Sequence, residues 1–294
     1  MSSKVRIPGG ACSSNVDWYE QSDAERAVLF IQEFCRHVKG PRAGERLRLE
    51  PWQHDVVCRL FGWKRPDGLR RNHYAWLEMP RKAGKSTFAA AIALYMLMVD
   101  PEPSAEIIIA AANAEHANIC FNLARAMIEQ DPDLAAVCSV SKRRIVYKDA
   151  YMRVVSSRNE ASHGRNISCL IFDDVCLQGT RELHDTLITS MAARAQPLTV
   201  YLTSAGSERT SLGWELHDYA TKVASGQIDD TAWLVRTFGA SPDDDWTDPA
   251  VWRKAHPGIG VSVSEDFIQQ ECLRAQQTPG FIASFRQLYL NVWG

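Results

Sequence analysis

The sequence predicts an α/β fold in which a mainly parallel sheet is flanked by helices, and two observations support this. First, between residues 74 and 206 short apolar runs of strand length alternate with longer segments whose apolar residues recur at helical spacing. Second, Gly84-Lys85-Ser86 stands between one such run and a strongly apolar helical segment. A strand, a glycine-containing loop and a helix in this order are typical of a phosphate-binding site in a parallel sheet.

The elements are predicted in chain order from the apolar pattern. Helices over 22–37 and 50–61, the second with Pro51 in its first turn, precede the sheet. Strands are predicted at 74–79, 106–111, 169–174 and 198–203, a hairpin at 144–147 and 151–155, and helices at 88–97, 114–129 and 181–194. Later helices are expected at 212–225, 249–255, 264–276 and 281–290, with one strand at 231–238. We therefore expect a helical lead-in over 1–48, a phosphate-loop core over 49–206 and a smaller lid subdomain over 207–294.

Composition and charge narrow the class of protein. The 294 residues are 46% hydrophobic and 23% charged with a net charge of -2, as in ordinary soluble globular proteins. Contact with nucleic acid would therefore need a local basic patch. The eight cysteines form no C-x-x-C pair, which argues against a zinc ribbon and favours reduced core residues. The chain shows no signal peptide and no apolar run of membrane-spanning length, so we expect no membrane contact.

The loop before the apolar helix carries the groups that a nucleoside triphosphate needs. Loop amides and the positive end of the helix dipole face phosphate oxygens, Lys85 reaches the outer phosphates, and Ser86 supplies a ligand to Mg²⁺. The residues predicted to contact the nucleotide here are Arg81, Lys82, Ala83, Gly84, Lys85, Ser86 and Thr87. The common pattern G-x-x-x-x-G-K-[ST] would place a glycine where this chain has Met79, and a capped surface helix is the alternative interpretation.

Two carboxylates follow the apolar run at 170–172. Asp173 is predicted to hold Mg²⁺, and Asp174 to orient and deprotonate the attacking water. The alternative is a strand that ends in an acidic turn. The upstream phosphate loop favours the catalytic interpretation, because the two motifs together make the site of a magnesium-dependent hydrolase.

Polar residues at two other positions are candidates for contacting the nucleotide. Thr203 and Ser204 end the next strand, where a hydroxyl can sense the terminal phosphate or simply close a turn. Gln53 can recognise adenine, because an amide matches the donor and the acceptor on that base edge. The neighbouring Trp52 is expected to pack in the core.

Arginines matter in phosphoryl transfer because a guanidinium stabilises the charge of the transition state. Arg81 lies in the loop, whereas Arg158 and Arg165 belong to a polar segment before the acidic strand. Either of the latter two can reach a neighbouring subunit, and a surface position is the alternative for each of the three.

These motifs together resemble the ATPase half of the large terminase subunit of tailed bacteriophages. The resemblance covers most of the chain and rests on residues 49–53, 61–63 with 68–71, 80–86, 170–174, 202–206, 252–257 and 290–293. The loop of that family also lacks the first glycine, which accounts for Met79. The resemblance implies a RecA-like P-loop core with a small lid subdomain, and ATP and Mg²⁺ as the bound cofactors.

The resemblance also implies partners. These are double-stranded DNA, the portal protein, the small terminase subunit and further copies in a ring, usually a pentamer, with a monomer as the alternative in isolation. The location would be the host cytoplasm, for a protein encoded by a virus or a prophage. Family members carry a C-terminal nuclease as well, but we find no second acidic cluster before Gly294 and expect no nuclease activity. Basic loops at 70–71 and 142–144 are expected to contact DNA phosphates.

One departure from the family pattern bears on catalysis. The family usually has Asp-Glu followed by an apolar residue and His, whereas this chain has Asp173-Asp174-Val175-Cys176. A base shorter by one methylene lies about 1.5 Å from its usual place, and a misplacement of that size can cost about 100-fold in rate. Either the loop compensates or hydrolysis is slow. A helicase or other P-loop nucleic-acid ATPase, and a weakly hydrolytic assembly module, therefore stay open as alternatives to a packaging motor.

Overall fold

The first elements form a small antiparallel ribbon and two helices that pack beside the main sheet. The computed structural model describes residues 4–5, 16–111, 113–155, 164–176 and 181–294. β1 (Lys4–Val5), β2 (Trp18–Glu20) and β3 (Trp63–Lys64) make the ribbon, and α1 (Gln21–Phe34) packs on α2 (Pro51–Gly62). Proline opens α2 as predicted, and Glu50 and Gln53 form a capping box there.

The core is an eight-stranded, mainly parallel sheet, as predicted. Its strands are β4 (Tyr74–Glu78), β5 (Glu106–Ala110), β6 (Cys138–Val140), β7 (Arg144–Tyr147), β8 (Ala150–Val155), β9 (Cys169–Asp173), β10 (Leu198–Thr203) and β11 (Trp233–Thr237). They lie in the order β11-β4-β10-β9-β5-β8-β7-β6. Neighbours from β11 to β8 are parallel, whereas β7 and β6 extend the edge as antiparallel strands. The phosphate loop and both acidic residues consequently lie at one edge, beyond the carboxyl ends of the parallel strands.

Helices cover both faces of the sheet, which explains why its central strands β9 and β10 are buried along their whole length. The helices after β4 are α3 (Lys85–Met98), α4 (Ala114–Gln130), α5 (Pro132–Val137), α6 (Arg181–Thr189) and α7 (Leu212–Ala224). Side chains of β9 alternate between the faces, because Cys169 and Ile171 join the core under α1–α4 whereas Leu170 and Phe172 join the core under α6 and α7.

A third apolar core belongs to the last part of the chain. α8 (Pro249–Ala255), α9 (Glu265–Gln277) and α10 (Ile282–Leu290) enclose it, with Trp252, Ile268 and Phe285 at its centre. We call residues 239–294 the C-terminal subdomain. Among the helices of the described part of the chain, none has the length and apolar character needed to cross a bilayer.

Some predicted boundaries differ from the structure. The sequence places β11 in the smaller subdomain, yet the strand pairs with β4 at the edge of the main sheet. A parallel pairing between such distant segments leaves no local trace in the sequence. The short α5 and β6 are absent from the prediction, because neither spans enough residues to show a periodicity. α6 ends at Thr189, five residues before the predicted end at 194.

The prediction that Arg70 contacts DNA is wrong. Its side chain is 2% exposed and pairs with the equally buried Asp100 at 2.8 Å. It also donates to the carbonyl of Gln196, whose side-chain oxygen accepts the Arg70 amide at 3.1 Å. These contacts tie together the loops before β4, after α3 and before β10, at the edge opposite the phosphate loop. Arg71 is half-buried, with its guanidinium 4.4 Å from the ring centre of Trp63.

Candidate active site

The phosphate loop joins β4 to α3 and has the backbone that an anion cradle requires. Gly84 caps α3 with a left-handed φ of 84°, and Lys82 is also left-handed with a φ of 68°. An added Cβ at Gly84 would meet no atom within 4 Å, so the conformation rather than the space calls for glycine. Left-handed residues within a loop direct successive amides to one side, where they bind anions together with the helix N-terminus.

Lys85 lies at the start of α3 and is folded back onto its own loop. Its ammonium donates to the carbonyls of Met79 at 2.7 Å and Pro80 at 2.9 Å. Burial lowers the pKa of Lys85 to about 8, and the negative charges of Asp174 and Asp173 oppose that shift. A buried cation that is partnered mainly by carbonyls favours an anion that comes within its reach.

Asp173 ends β9 and meets the phosphate loop. The Ser86 hydroxyl donates to a carboxylate oxygen of Asp173 at 3.2 Å, although the two residues are 87 positions apart. Burial, followed by repulsion from Asp174, raises the pKa of Asp173 to about 6. A divalent cation would offset the unfavourable negative charge of this buried carboxylate. The neighbouring hydroxyl would offer the cation a second oxygen. Mg²⁺ is usually bound in this way, by one or two protein oxygens together with substrate phosphates.

Asp174 turns the chain out of the sheet. It has a left-handed φ of 59°, which aspartate tolerates better than most residues, and its amide donates to the carbonyl of Leu202 at 2.7 Å. The residue is half-exposed, in contrast to Asp173. The site therefore has one buried and one accessible carboxylate, which suits the two separate roles predicted for them.

Sequence reasoning missed Glu78, a fully buried carboxylate at the end of β4. Four donors surround it: Trp76 Nε1 at 3.0 Å, His217 Nδ1 at 2.6 Å, Trp293 Nε1 at 2.9 Å and Asn291 Nδ2 at 3.2 Å. Glu78 thereby fixes α7 and the last residues of the chain to the strand that leads into the phosphate loop. The available signal was a single acid inside an apolar run, which by itself indicates only the end of a strand.

Thr203 and Ser204 lie where β10 reaches the same edge of the sheet. Thr203 is fully buried and donates to the sulfur of Cys176 at 3.0 Å, and Ser204 is 8% exposed. The next amide, that of Ala205, donates to the Asn291 side chain at 2.7 Å. In this structure the Thr203 hydroxyl therefore connects β10 with the turn that follows the two aspartates.

A cavity of about 640 Å³ opens beside the loop, between the segment at 37–53 and the C-terminal subdomain. Gln53, Gly84 and Thr87 line it. Gln53 is only 7% exposed, and its carbonyl accepts the Glu50 amide at 2.9 Å, so its NH₂ group is the part left for a base. Trp52 packs edge-on against Phe88 and Phe238, which confirms the core interpretation.

The predicted arginines lie in different surroundings. Arg81 is exposed in the loop, and its positive charge helps to lower the pKa of Lys85. Arg165 is half-buried just before β9, and Arg158 lies outside the described residues. The described part of the chain holds no group of three or more His, Cys, Asp or Glu placed to bind a metal. Its seven described cysteines form no disulfide with one another.

Comparison with known proteins gives the site a family context. The family described as "Terminase large subunit, ATPase domain" matches residues 51–222, more than half of the chain. The terminase large subunit of Enterobacteria phage HK97 is 26% identical over 275 residues, which are 91% of this chain and 52% of that protein. Protein YmfN of Escherichia coli (strain K12) is 30% identical over 130 residues, which are 44% of this chain and 29% of that protein.

Solved structures show the same fold. The HK97 bacteriophage large terminase has a TM-score of 0.80 at 24% identity, over 92% of this chain and 55% of that one. The large terminase of a thermophilic bacteriophage, in complex with ATP-gamma-S, has a TM-score of 0.51 at 13% identity, over 76% of this chain and 48% of that one. The chain spans about half the length of the large terminases that it matches.

Proposed function

The chain belongs to the family of terminase large subunit ATPase domains, and from this premise we propose that it is a magnesium-dependent ATP hydrolase of the P-loop type. The observation that carries the proposal is the hydrogen bond of 3.2 Å from the Ser86 hydroxyl to Asp173. It lies next to a phosphate loop in which Lys82 and Gly84 have left-handed backbones. A surface helix with a glycine cap would not need a buried carboxylate from another strand. The thermophilic phage terminase in complex with ATP-gamma-S supports a nucleotide as the ligand.

Different residues of this chain would serve different roles in phosphoryl transfer. Loop amides from Arg81 to Thr87 would bind the phosphates, and Lys85 would exchange its two carbonyl partners for phosphate oxygens. Ser86 and Asp173 would hold Mg²⁺, which when bound neutralises charge that develops on the phosphate oxygens. Gln53 would donate its NH₂ group to a ring nitrogen of the base, and Thr203 with Ser204 would sense the terminal phosphate.

Asp174 would accept a proton from the attacking water. It is the accessible carboxylate of the pair, and its left-handed backbone changes the direction in which the short side chain leaves the strand. This turn is the feature by which the loop could compensate for one missing methylene. The presence of aspartate at position 174, where the family usually has glutamate, also favours a second candidate. This candidate is a terminase-like module that binds ATP but hydrolyses it slowly.

We propose further that hydrolysis moves double-stranded DNA into a procapsid, in a ring of about five copies on the portal protein with the small terminase subunit as a partner. This would take place in the host cytoplasm, with Arg158 or Arg165 acting on a neighbouring copy. The turn between β6 and β7 offers a DNA contact, because Lys142 and Arg143 are exposed and form no ion pair with a described carboxylate.

For domain organisation we propose a lead-in over 1–48, a core from 49 and a lid within 207–294. β11 and α7 pack with the main sheet, whereas the third apolar core begins at Ala240. The part of the lid with a core of its own is therefore the C-terminal subdomain.

Steady-state ATP hydrolysis with and without double-stranded DNA tests the proposal. We expect Mg²⁺-dependent turnover that Lys85→Ala abolishes and that Lys222→Ala leaves intact, because Lys222 is a half-exposed lysine on α7 that pairs with Asp218. No nucleotide binding by the parent chain would refute the proposal. Binding without turnover, restored by Asp174→Glu, would instead establish the weakly hydrolytic module.

A further inference from the structure

A turn of the C-terminal subdomain lies against the outer side of the phosphate loop. His256 Nε2 is 3.0 Å from the carbonyl oxygen of Arg81, and the Ser262 hydroxyl donates to the carbonyl of Lys82 at 2.6 Å. Between them Gly258 approaches so closely that an added Cβ would lie 3.1 Å from the Ala83 Cα. We call His256, Gly258 and Ser262 the clasp.

The clasp fixes the tautomer of His256. The Gly258 amide donates to His256 Nδ1 at 3.1 Å, so Nδ1 is the acceptor and the ring proton lies on Nε2. Nε2 then donates to the Arg81 carbonyl. The residue is 1% exposed, and burial lowers the pKa of His256, which keeps the ring neutral.

The phosphate loop needs partners of this kind on its outer side. Amides can face an anion from one side of a loop only if the carbonyls of the same segment point elsewhere. Each carbonyl that points away from the anion and is shielded from water then requires a donor of its own. His256 supplies the donor for the Arg81 carbonyl, and Ser262 supplies the donor for the carbonyl of the next residue, the left-handed Lys82.

We propose that His256 is a positioning residue for nucleotide binding, which holds the Arg81 carbonyl outward so that the loop amides face the phosphates. The inference rests on the proposed function of the loop and extends it to His256, which lies in the segment 252–257. It also gives the C-terminal subdomain a direct connection to the phosphate site.

Two substitutions distinguish this positioning role from a role confined to the hydrogen bond between His256 and the Gly258 amide. Glutamine can place its NH₂ group where His256 Nε2 lies and keep the donor to Arg81, but it loses the acceptor for Gly258. Asparagine can place its carbonyl where Nδ1 lies and keep the acceptor for Gly258, but it cannot reach Arg81. We would measure the dissociation constant of a fluorescent ATP analogue for wild type, His256→Ala, His256→Gln and His256→Asn, with melting temperatures beside them.

We expect His256→Ala and His256→Asn to bind roughly tenfold more weakly, since one buried hydrogen bond is worth up to about tenfold in an equilibrium constant. His256→Gln should stay within about threefold of wild type. In steady-state hydrolysis the KM of His256→Ala should rise with little change in kcat, because the loop binds substrate and transition state alike.

The opposite pattern, with asparagine near wild type and glutamine weak, would overturn the inference and confine His256 to its own turn. Equal binding by all four proteins, or equal weakening in all three variants, would overturn it as well. Failure of the wild type to bind the analogue would count against the proposed function itself, which is a different result.

Discussion

Replacing Asp173 by asparagine is expected to stabilise the nucleotide-free chain at pH 7, although it removes the proposed magnesium ligand. The asparagine keeps an oxygen that can accept the Ser86 hydroxyl, and it removes a charge that is buried against Asp174. The substitution therefore isolates the free-energy cost of keeping a charged carboxylate buried beside Asp174 when no cation neutralises it.

The magnitude follows from the pKa of Asp173. A rise from 3.8 to about 6 means that the folded chain holds the proton more tightly than the unfolded chain does, so stability falls as pH rises through this interval. At about 1.36 kcal/mol per pKa unit the full cost above pH 6 is about 3 kcal/mol. Asp173→Asn should recover most of it, which for a chain of this size raises the melting temperature by roughly 6 °C.

Urea unfolding in EDTA without nucleotide, from about pH 4.5 to pH 8, measures this effect. The stability difference between Asp173→Asn and wild type should grow between about pH 4 and pH 6 and then stay constant. Asp229→Asn, which removes an exposed aspartate, is the matched control and should show no such rise. An Asp173→Asn chain that is no more stable than wild type at pH 7, or a difference that does not change with pH, would refute the reasoning.

Three other variants test the remaining contacts. Arg70→Ala leaves the Asp100 carboxylate buried without its cation and should lower the free energy of unfolding by about 3–5 kcal/mol in urea; a loss below about 1 kcal/mol would contradict the buried network. Glu78→Gln removes a charged acceptor from four donors and should cost about 3 kcal/mol in the same assay, whereas an unchanged midpoint would show that the donors find other partners. Changing both Lys142 and Arg143 to serine should weaken DNA binding and reduce the slope of log K against log salt by about 2, and an unchanged slope would exclude this turn from the DNA contact.

Much of the fold could be predicted because the strands are buried on both faces. β4, β9 and β10 are continuous apolar runs followed by loop residues, so their positions and the edge to which they point are evident. The position of β11 is not evident, because its pairing with β4 depends on which edge of the sheet is free. The short α5 and β6 fall below the length at which a periodicity can be recognised.

The chemistry of the site could be predicted where it is local and not where it is assembled from afar. Lys85, Ser86 and Asp173 belong to motifs with their own spacing, and the structure brings Ser86 and Asp173 together. Glu78 owes its role to hydrogen bonds with residues of α7 and of the chain end. No local sequence pattern indicates these contacts. Two adjacent arginines in a sequence suggest an exposed basic site. In the structure Arg70 is buried instead, because it pairs with the Asp100 carboxylate.

The position of β4 inside the sheet has a consequence for biosynthesis. The strand that carries the phosphate loop lies between β10 and β11, which end at Thr203 and Thr237 and so leave the ribosome far later than Glu78. At about 5–20 residues per second, β4 waits roughly 8–30 s for its second neighbour. Until then its apolar edges are open to mispairing, and nascent chains shorter than about 240 residues cannot close the sheet around the loop. Chaperone dependence should therefore concentrate in that interval of synthesis.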